Sequence, residues 1–306
     1  MDMWPSRSKR LNQLDSGLQE FSKKRHKLLG ISNAEHRNAL ALQMIASLRR
    51  LDYTRLVKSR DISPDRTDPK SNLFEPERAA TLLARSGKTD EAIWLIFLAT
   101  HFGQHGKHGW RLLRDVYSGL GKGIWSWSRV SEDPSQFHAW LKQNFKNVSG
   151  AFGNHRKYET LNPHSNNGTA HVIESFVNCF RPSPSKWFGD LARSVGNDPH
   201  KVFDAAYNSL TIARFGRLAK FDFLALLGRL DLAAISPGSA YLSGATGPLR
   251  GARLLVDGNT NSTTPAANLD AILQELDEIL EVGMQVMEDS ICNWQKSPNR
   301  FVHFRG

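Results

Sequence analysis

The amino-acid sequence predicts an all-α protein built as two helical lobes. Three observations lead there. Apolar residues recur at helical spacing in several long stretches. No stretch sustains the period-two alternation of a half-buried strand, and strands do not alternate with helices. No repeat of about 20–50 residues marks a solenoid or a propeller. The 306 residues suffice for one large domain or two modest ones. Hydrophobic residues make up 40% and charged residues 23%, which suits a globular core and excludes a disordered chain.

The elements follow in order. Residues 1–30 read as an arm or a first helix. Residues 33–57 form a helix with Leu40, Leu42, Met44, Ile45, Leu48 and Leu51 along one stripe. Residues 59–72 hold Pro64 and Pro69 among many charges, which marks a linker or long loop. Residues 1–73 are therefore set apart as a basic helical arm with its linker, and residues 74–306 as the main helical domain. A helix starts after Phe74-Glu75 with Pro76 in its first turn. Residues 91–100 are apolar and form a buried helix. Glycines between 103 and 123 turn the backbone often. Asp133-Pro134 opens a helix carrying Phe137, Trp140, Leu141 and Phe145. Residues 162–168 are a loop and 169–180 a helix, stopped by Arg181-Pro182-Ser183-Pro184. Asp198-Pro199 opens another helix, and 210–230 continue the helical pattern. Residues 235–251 are a glycine-rich hairpin region, and 260–265 a polar loop. Leu269, Ile272, Leu273, Leu276, Ile279, Leu280, Val286, Met287 and Ile291 then give the clearest amphipathic helix.

Several function classes fall away on composition. No window of about 18 apolar residues exists to span a membrane. The N-terminal residues lead into a polar region without the apolar core of a signal peptide. Cys179 and Cys292 are the only cysteines, which allows one disulfide, fits a reducing cytoplasm more plainly and excludes a four-cysteine iron–sulfur cluster. The net charge is +10, with +14 over residues 1–264 and −4 over residues 265–306. A basic body of this size suits a polyanion, because phosphate contacts release counterions and steer association. The run Lys23-Lys24-Arg25-His26-Lys27 reads either as a backbone-binding arm or as a solvated helix face.

The motifs carry alternatives. Gly119-Leu120-Gly121-Lys122-Gly123 is not a phosphate loop: it lacks four residues between its glycines and a Ser or Thr after the lysine. His101, Gln104, His105 and His108 have spacings that would put three imidazoles on one helical face, as a metal requires. Gly103, Gly106 and Gly109 weaken such a helix, and no carboxylate lies near in sequence, so a polar pocket wall or a loop is the plainer reading and no metal is expected. Residues 152–159 crowd Asn154, His155, Arg156, Lys157, Tyr158 and Glu159 behind Gly153. They read as a solvated helix start or as a site for a polar ligand and a phosphate, with Asn154 reading an amide or hydroxyl pattern, Tyr158 stacking and Arg156 gripping phosphate bidentately.

Residues 241–253 combine an apolar approach, the turn Gly244-Ala245-Thr246-Gly247 and a helix start at Pro248. A turn of this kind presents free backbone N–H groups to a phosphate, reinforced by Arg250 and Arg253. A plain inter-helix turn is the alternative. Asp257-Gly258-Asn259 follows, as a carboxylate facing a sugar or as a β-turn. Near the end, Trp294 and Lys296 could meet a base and a phosphate, or simply close a packed helix.

Five blocks in order carry a resemblance: HFGQHGKHGW from 101, FGNHRKYETL from 152, FGRLAKFDFLALLGRL from 215, YLSGATGPLRGARLL from 241 and MEDSICNWQKSPNRF from 287. Across roughly residues 74–306 the chain resembles the α-glutamyl/putrescinyl-thymine pyrophosphorylase family, itself similar in fold to the helix–hairpin–helix DNA glycosylases and tied to hypermodified bases in phage DNA. The resemblance implies a fold like that glycosylase superfamily, with DNA in the cleft between the lobes; the expected setting is the bacterial cytoplasm, with no cofactor, no membrane attachment and no obligate protein partner. It assigns Gly244, Gly247 and Arg250 to the hairpin near 241–253 that grips DNA backbone; Arg253, Lys157 and Lys296 are expected beside it as further backbone contacts from their charge and position. The glycosylase hairpin is written Leu-Pro-Gly-x-Gly. Here the glycines stand one residue further apart and the proline follows them. Asp257 resembles the catalytic aspartate, with Glu159 in reserve. His101, Gln104, His105, Asn154, His155, Arg156, Tyr158 and Trp294 are expected around the base. No lysine lies between 221 and 295, which disfavours a Schiff-base lyase.

Three functions follow as expectations. The first is a monofunctional DNA glycosylase that everts a bulky modified base from double-stranded phage DNA and leaves an abasic site, hence antiphage defence. The second is a transferase that displaces pyrophosphate from an activated hydroxymethyluracil and attaches an amine or amino acid, with Arg156, Lys157 and His155 holding the leaving group. The third is a DNA-binding protein without chemistry.

Overall fold

The computed structural model describes residues 3–304. Among them the regular structure is helical, with no strand beyond one isolated antiparallel bridge between His105 and Gly109. The chain divides into two compact units. One takes Met1–Tyr53 and Pro237–Arg305, the other Thr54–Ser236. The sequence reading placed a boundary at 73/74 and treated the N-terminal residues as an arm. The division falls elsewhere because the N-terminal helices share a core with the C-terminal ones.

In chain order, α1 (Ser8–Lys24) and α2 (Ala34–Ser59) come first, and the boundary between units falls inside α2. Leu14, Leu18 and Phe21 of α1 and Leu40, Met44 and Ile45 of α2 are fully buried or nearly so. The basic run after position 22 closes α1. Lys24 pairs with Glu20 one turn back, and Arg25 Nη1 donates to Glu278 at 2.6 Å, so this run behaves as a solvated helix end.

The second unit holds α3 (Pro76–Arg85), α4 (Thr89–Phe102), α5 (Arg111–Tyr117), α6 (Trp127–Glu132), α7 (Pro134–Asn144), α8 (Thr169–Phe180), α9 (Pro184–Val195), α10 (Pro199–Ser209) and α11 (Arg217–Arg229). Their starts follow from local chemistry. Prolines occupy the first turns of α3, α7, α9 and α10, where a missing N–H costs nothing. The Ser126, Asp133, Ser183 and Asp198 side chains accept the free N–H groups of the helices that follow them. Ala92 to Ala99 of α4 are all buried, so this helix is the axis of the unit. Phe97 stacks on Phe176 of α8 with ring centroids 3.9 Å apart, and Phe215 and Phe223 close round it at 5.2 and 6.4 Å. Residues 210–216, expected to be helical, are not: Arg214 has a positive φ of 63° and α11 begins only at Arg217.

The chain then returns to the first unit with α12 (Gly247–Asp257), α13 (Ala266–Leu280) and α14 (Met284–Trp294). The apolar stripe that reads as one long helix is two. Glu281 and Gly283 adopt left-handed φ values of 47° and 85°, and the Asp277 carboxylate accepts the N–H groups of Val282 and Gly283 across the break. Helices α12 and α14 approach closely at Gly251, where a Cβ would lie 2.2 Å from the Ile291 carbonyl oxygen.

Candidate active site

In the second unit, two of the motifs meet. Helix α4 ends at Phe102, and Gly103 turns the chain with φ 64°. The Gly153 N–H donates to the Phe102 carbonyl at 2.8 Å. A Cβ on Gly153 would lie 2.9 Å from the Gly103 carbonyl carbon, so the two backbones cross where neither tolerates a side chain. This crossing lays the 3₁₀ turn Asn154–Arg156 against the end of α4.

The floor of the crossing is buried and fixed. His101 is 1% exposed, between the ring of Phe97 at 6.1 Å and those of Phe102 and Phe152. Its Nε2 lies 3.1 Å from Thr169 Oγ1, whose hydroxyl donates to the Thr160 carbonyl at 3.0 Å. The hydroxyl hydrogen being committed, the imidazole donates through Nε2–H. Burial, seconded by the Arg156 and Arg214 charges, brings the His101 pKa down to about 3, so the ring is neutral at physiological pH. Arg156 is also buried. Its Nε donates to the Thr100 carbonyl at 2.9 Å and its guanidinium stands 5.6 Å over the Phe215 ring. Burial lowers its pKa, and the Asp222 and Glu159 carboxylates work against that.

Above this floor the side chains are accessible. Gln104, Asn154, His155 and Lys157 are exposed, and the Tyr158 ring is 78% exposed with Lys157 Nζ at 5.1 Å from its centroid. His105 shapes the loop beside them. Its Nδ1 accepts the N–H groups of Lys107 and His108 at 3.2 Å, and its ring stacks on His108 at 4.9 Å. Among the described residues no three His, Cys, Asp or Glu side chains converge as metal ligands.

The carboxylates differ in how they are held. Glu159 forms a two-pronged pair with Arg214, at 3.2 Å from both Nε and Nη2. Arg214 is brought there by its left-handed backbone, a costly conformation for a side chain of this size. Asp222, in the apolar block Phe221-Asp222-Phe223 of α11, is exposed between two buried rings. Loss of hydration raises its pKa, while Arg156, His155, Arg217 and Arg229 pull it down. The residue is thus open to solvent while protein crowds its carboxyl. Sequence reasoning passed over Asp222. The signal was a lone charge in an otherwise apolar helical block. A separate hollow of about 560 Å³ in the same unit includes Glu91, Tyr117 and Trp127. There the Tyr117 hydroxyl and the Trp127 N–H already occupy the two Glu91 oxygens, each at 2.6 Å.

In the first unit, the Gly244 turn stands where it was expected. Gly244 has φ 72° with open space around its Cα, and Ser243, Gly244, Thr246 and Arg250 are exposed. Asp270 of α13 pins the approach, accepting from Ser239 Oγ at 2.8 Å and from the Leu242 N–H at 3.0 Å. Gly247 is set against α14, where a Cβ would lie 2.7 Å from Cys292 Sγ. Arg253 is part-buried, its Nε–H inside the protein without a hydrogen-bond partner among the described residues. Lys296 is exposed at the end of α14, with its ammonium 3.1 Å from Asn293 Oδ1.

Two expected site residues of this unit stand differently. Trp294 is a core residue, fully buried, with its indole N–H donating to the His36 carbonyl at 3.0 Å, so it presents no face to a base. Asp257 ends α12, ten residues after the glycine that opens it, or about 15 Å along the axis. Its carboxylate accepts the Ser262 hydroxyl, and Gly258 with φ 69° closes the helix behind it.

Residues 35–306 match the family model for alpha-glutamyl/putrescinyl thymine pyrophosphorylase clade 3. No curated protein and no solved structure matches the chain.

Proposed function

Because the chain belongs to the alpha-glutamyl/putrescinyl thymine pyrophosphorylase family, which relates to modified thymine in phage DNA, we propose that it is a DNA glycosylase acting on a bulky modified base. The observation that carries this reading is the two-level arrangement at the Gly103–Gly153 crossing. A rigid floor, made of the neutral His101 imidazole and the buried Arg156 guanidinium, lies under accessible amide, imidazole and aromatic groups, which suits a base taken out of the stack. Tyr158 offers a face for stacking, and Gln104 and Asn154 offer paired donor and acceptor atoms for a base edge. The first unit presents, by itself, an exposed turn at Gly244 and Arg250 and an exposed Lys296 as candidate contacts for phosphate. Breaking the N-glycosidic bond gathers positive charge on the deoxyribose, and a carboxylate stabilises it.

The transferase reading asks for cations free to grip a leaving pyrophosphate. Arg156 is buried and bonded to Thr100, and Arg214 is paired with Glu159. Of the three groups that reading assigned to the task, only Lys157 and His155 are accessible. This balance favours base removal. Incubation with phage DNA carrying modified pyrimidines tests it. Free modified base with alkali-labile sites supports the glycosylase. A gain of mass on the nucleoside would establish the transferase instead, and salt-sensitive binding with unchanged DNA would leave a binding protein.

A further inference from the structure

We propose that Asp222, on the exposed side of α11, is the carboxylate that faces the deoxyribose of the everted nucleotide and takes a proton from the attacking water. The inference rests on the glycosylase reading and deepens it. Three carboxylates compete for the role. Glu159 is committed to Arg214 through both oxygens. Asp257 holds the Ser262 hydroxyl at the far end of α12 from the backbone-gripping turn. Asp222 accepts no hydrogen bond and makes no ion pair within 4.0 Å among the described residues, although Arg156, His155, Arg217 and Arg229 all lie within electrostatic reach.

Its setting is rigid. Phe221 and Phe223 on either side are buried at 1% and 0% exposure, and α11 packs on α4. Phe223 meets Phe215 at 6.1 Å between centroids, and the Arg156 guanidinium stands 5.6 Å from the same Phe215 ring, so Asp222 shares one neighbourhood with the base-reading turn. A carboxyl so placed is exposed and unpartnered among the described residues, and the Arg156, His155, Arg217 and Arg229 charges work against the rise that burial imposes on its pKa. Burial moves its pKa upward from the ordinary carboxylate range, toward the value that suits a general base.

The step balances without a cofactor. The C1′–N bond breaks and its electron pair leaves with the base. Water oxygen bonds to C1′, and one water proton passes to Asp222. That proton then goes to the departing base anion, so the two water hydrogens end on the sugar hydroxyl and on the free base.

The test uses the full chain with Asp222→Asn, Asp222→Glu, Asp257→Asn and the surface control Asp190→Asn, on duplexes carrying a modified pyrimidine. Single-turnover base release and duplex affinity are measured for each. Asp222→Asn is expected to lose at least about 100-fold in rate while binding the duplex more tightly, since a charge repelling phosphate is gone. Asp222→Glu should recover part of the rate, and Asp190→Asn should match the wild type. An Asp222→Asn rate within threefold of wild type overturns the inference and leaves the glycosylase reading standing. So does a loss confined to Asp257→Asn. If the wild type releases no base at all, the glycosylase reading falls. The affinity arm then decides the placement: unchanged duplex binding by Asp222→Asn removes Asp222 from the DNA site.

Discussion

The neutral His101 imidazole in the floor of the site makes the second unit acid-sensitive in a way that can be worked out from one residue. His101 has a folded-state pKa of about 3 against an ordinary 6.5, because burial forbids its charge. Between those values the unfolded chain binds a proton that the folded protein refuses, so stability rises with pH across that window. The contribution is therefore complete above pH 6.5 and is lost as pH falls toward 3. At about 1.36 kcal/mol per unit, the 1.5 units between 6.5 and 5 remove about 2 kcal/mol, and pH 4 removes about 3. The perturbation is His101→Gln, which retains an N–H donor toward Thr169 and cannot titrate. The assay is urea unfolding at pH 7.5 and pH 5.0, followed by tryptophan fluorescence. Of eight tryptophans, only Trp4 and Trp294 lie in the first unit, so the signal reports chiefly on the second. The wild type should lose about 2 kcal/mol more than the variant on acidification. Equal losses, or a His101 imidazole that titrates near 6.5 by NMR, would refute the neutral-imidazole argument.

Other expectations are local. Gly251→Ala would drive a methyl to 2.2 Å from the Ile291 carbonyl oxygen and push α12 off α14. It should cost about 1–3 kcal/mol or more, read as a lower melting temperature. Arg250→Ala removes an exposed cation beside the turn, so duplex affinity should fall on every sequence alike and the slope of log K against log salt should shrink by about one. Tyr158→Ala should weaken binding of an everted or single-stranded base by about 1–3 kcal/mol. Its ring is 78% exposed, so the melting temperature should stay put.

Local punctuation made much of the fold legible from sequence. Gly168 and Arg181-Pro182 frame α8 at the bounds expected, and Pro76 opens α3 where a first-turn proline belongs. The stripe from Leu269 to Ile291 concealed a break, because apolar spacing carries over a three-residue gap. Gly283 and the capping carboxylate Asp277 were its local signs. The N-terminal helices looked like an arm because nothing in their own spacing reveals that Leu14, Leu18 and Phe21 complete a core with Leu269, Leu273 and Leu276. In the site, the polar run at 154–159 was visible as composition. Its partner was not, since the contact of Arg156 with Thr100 spans 56 residues. Phe-Gly pairs stand on both sides of that crossing, at Phe102-Gly103 and Phe152-Gly153, but also at Phe188-Gly189 and Phe215-Gly216, so the pair did not single it out. Asp222 escaped notice because a single acid in a helix gives no pattern until its neighbours are known.

Stoichiometry on a modified duplex tests the central claim most directly: free base by mass spectrometry against abasic sites titrated with an aldehyde-reactive probe. Hydrolysis predicts one released base for each abasic site, with no pyrophosphate formed. Pyrophosphate release with every nucleobase still attached to its sugar would contradict it.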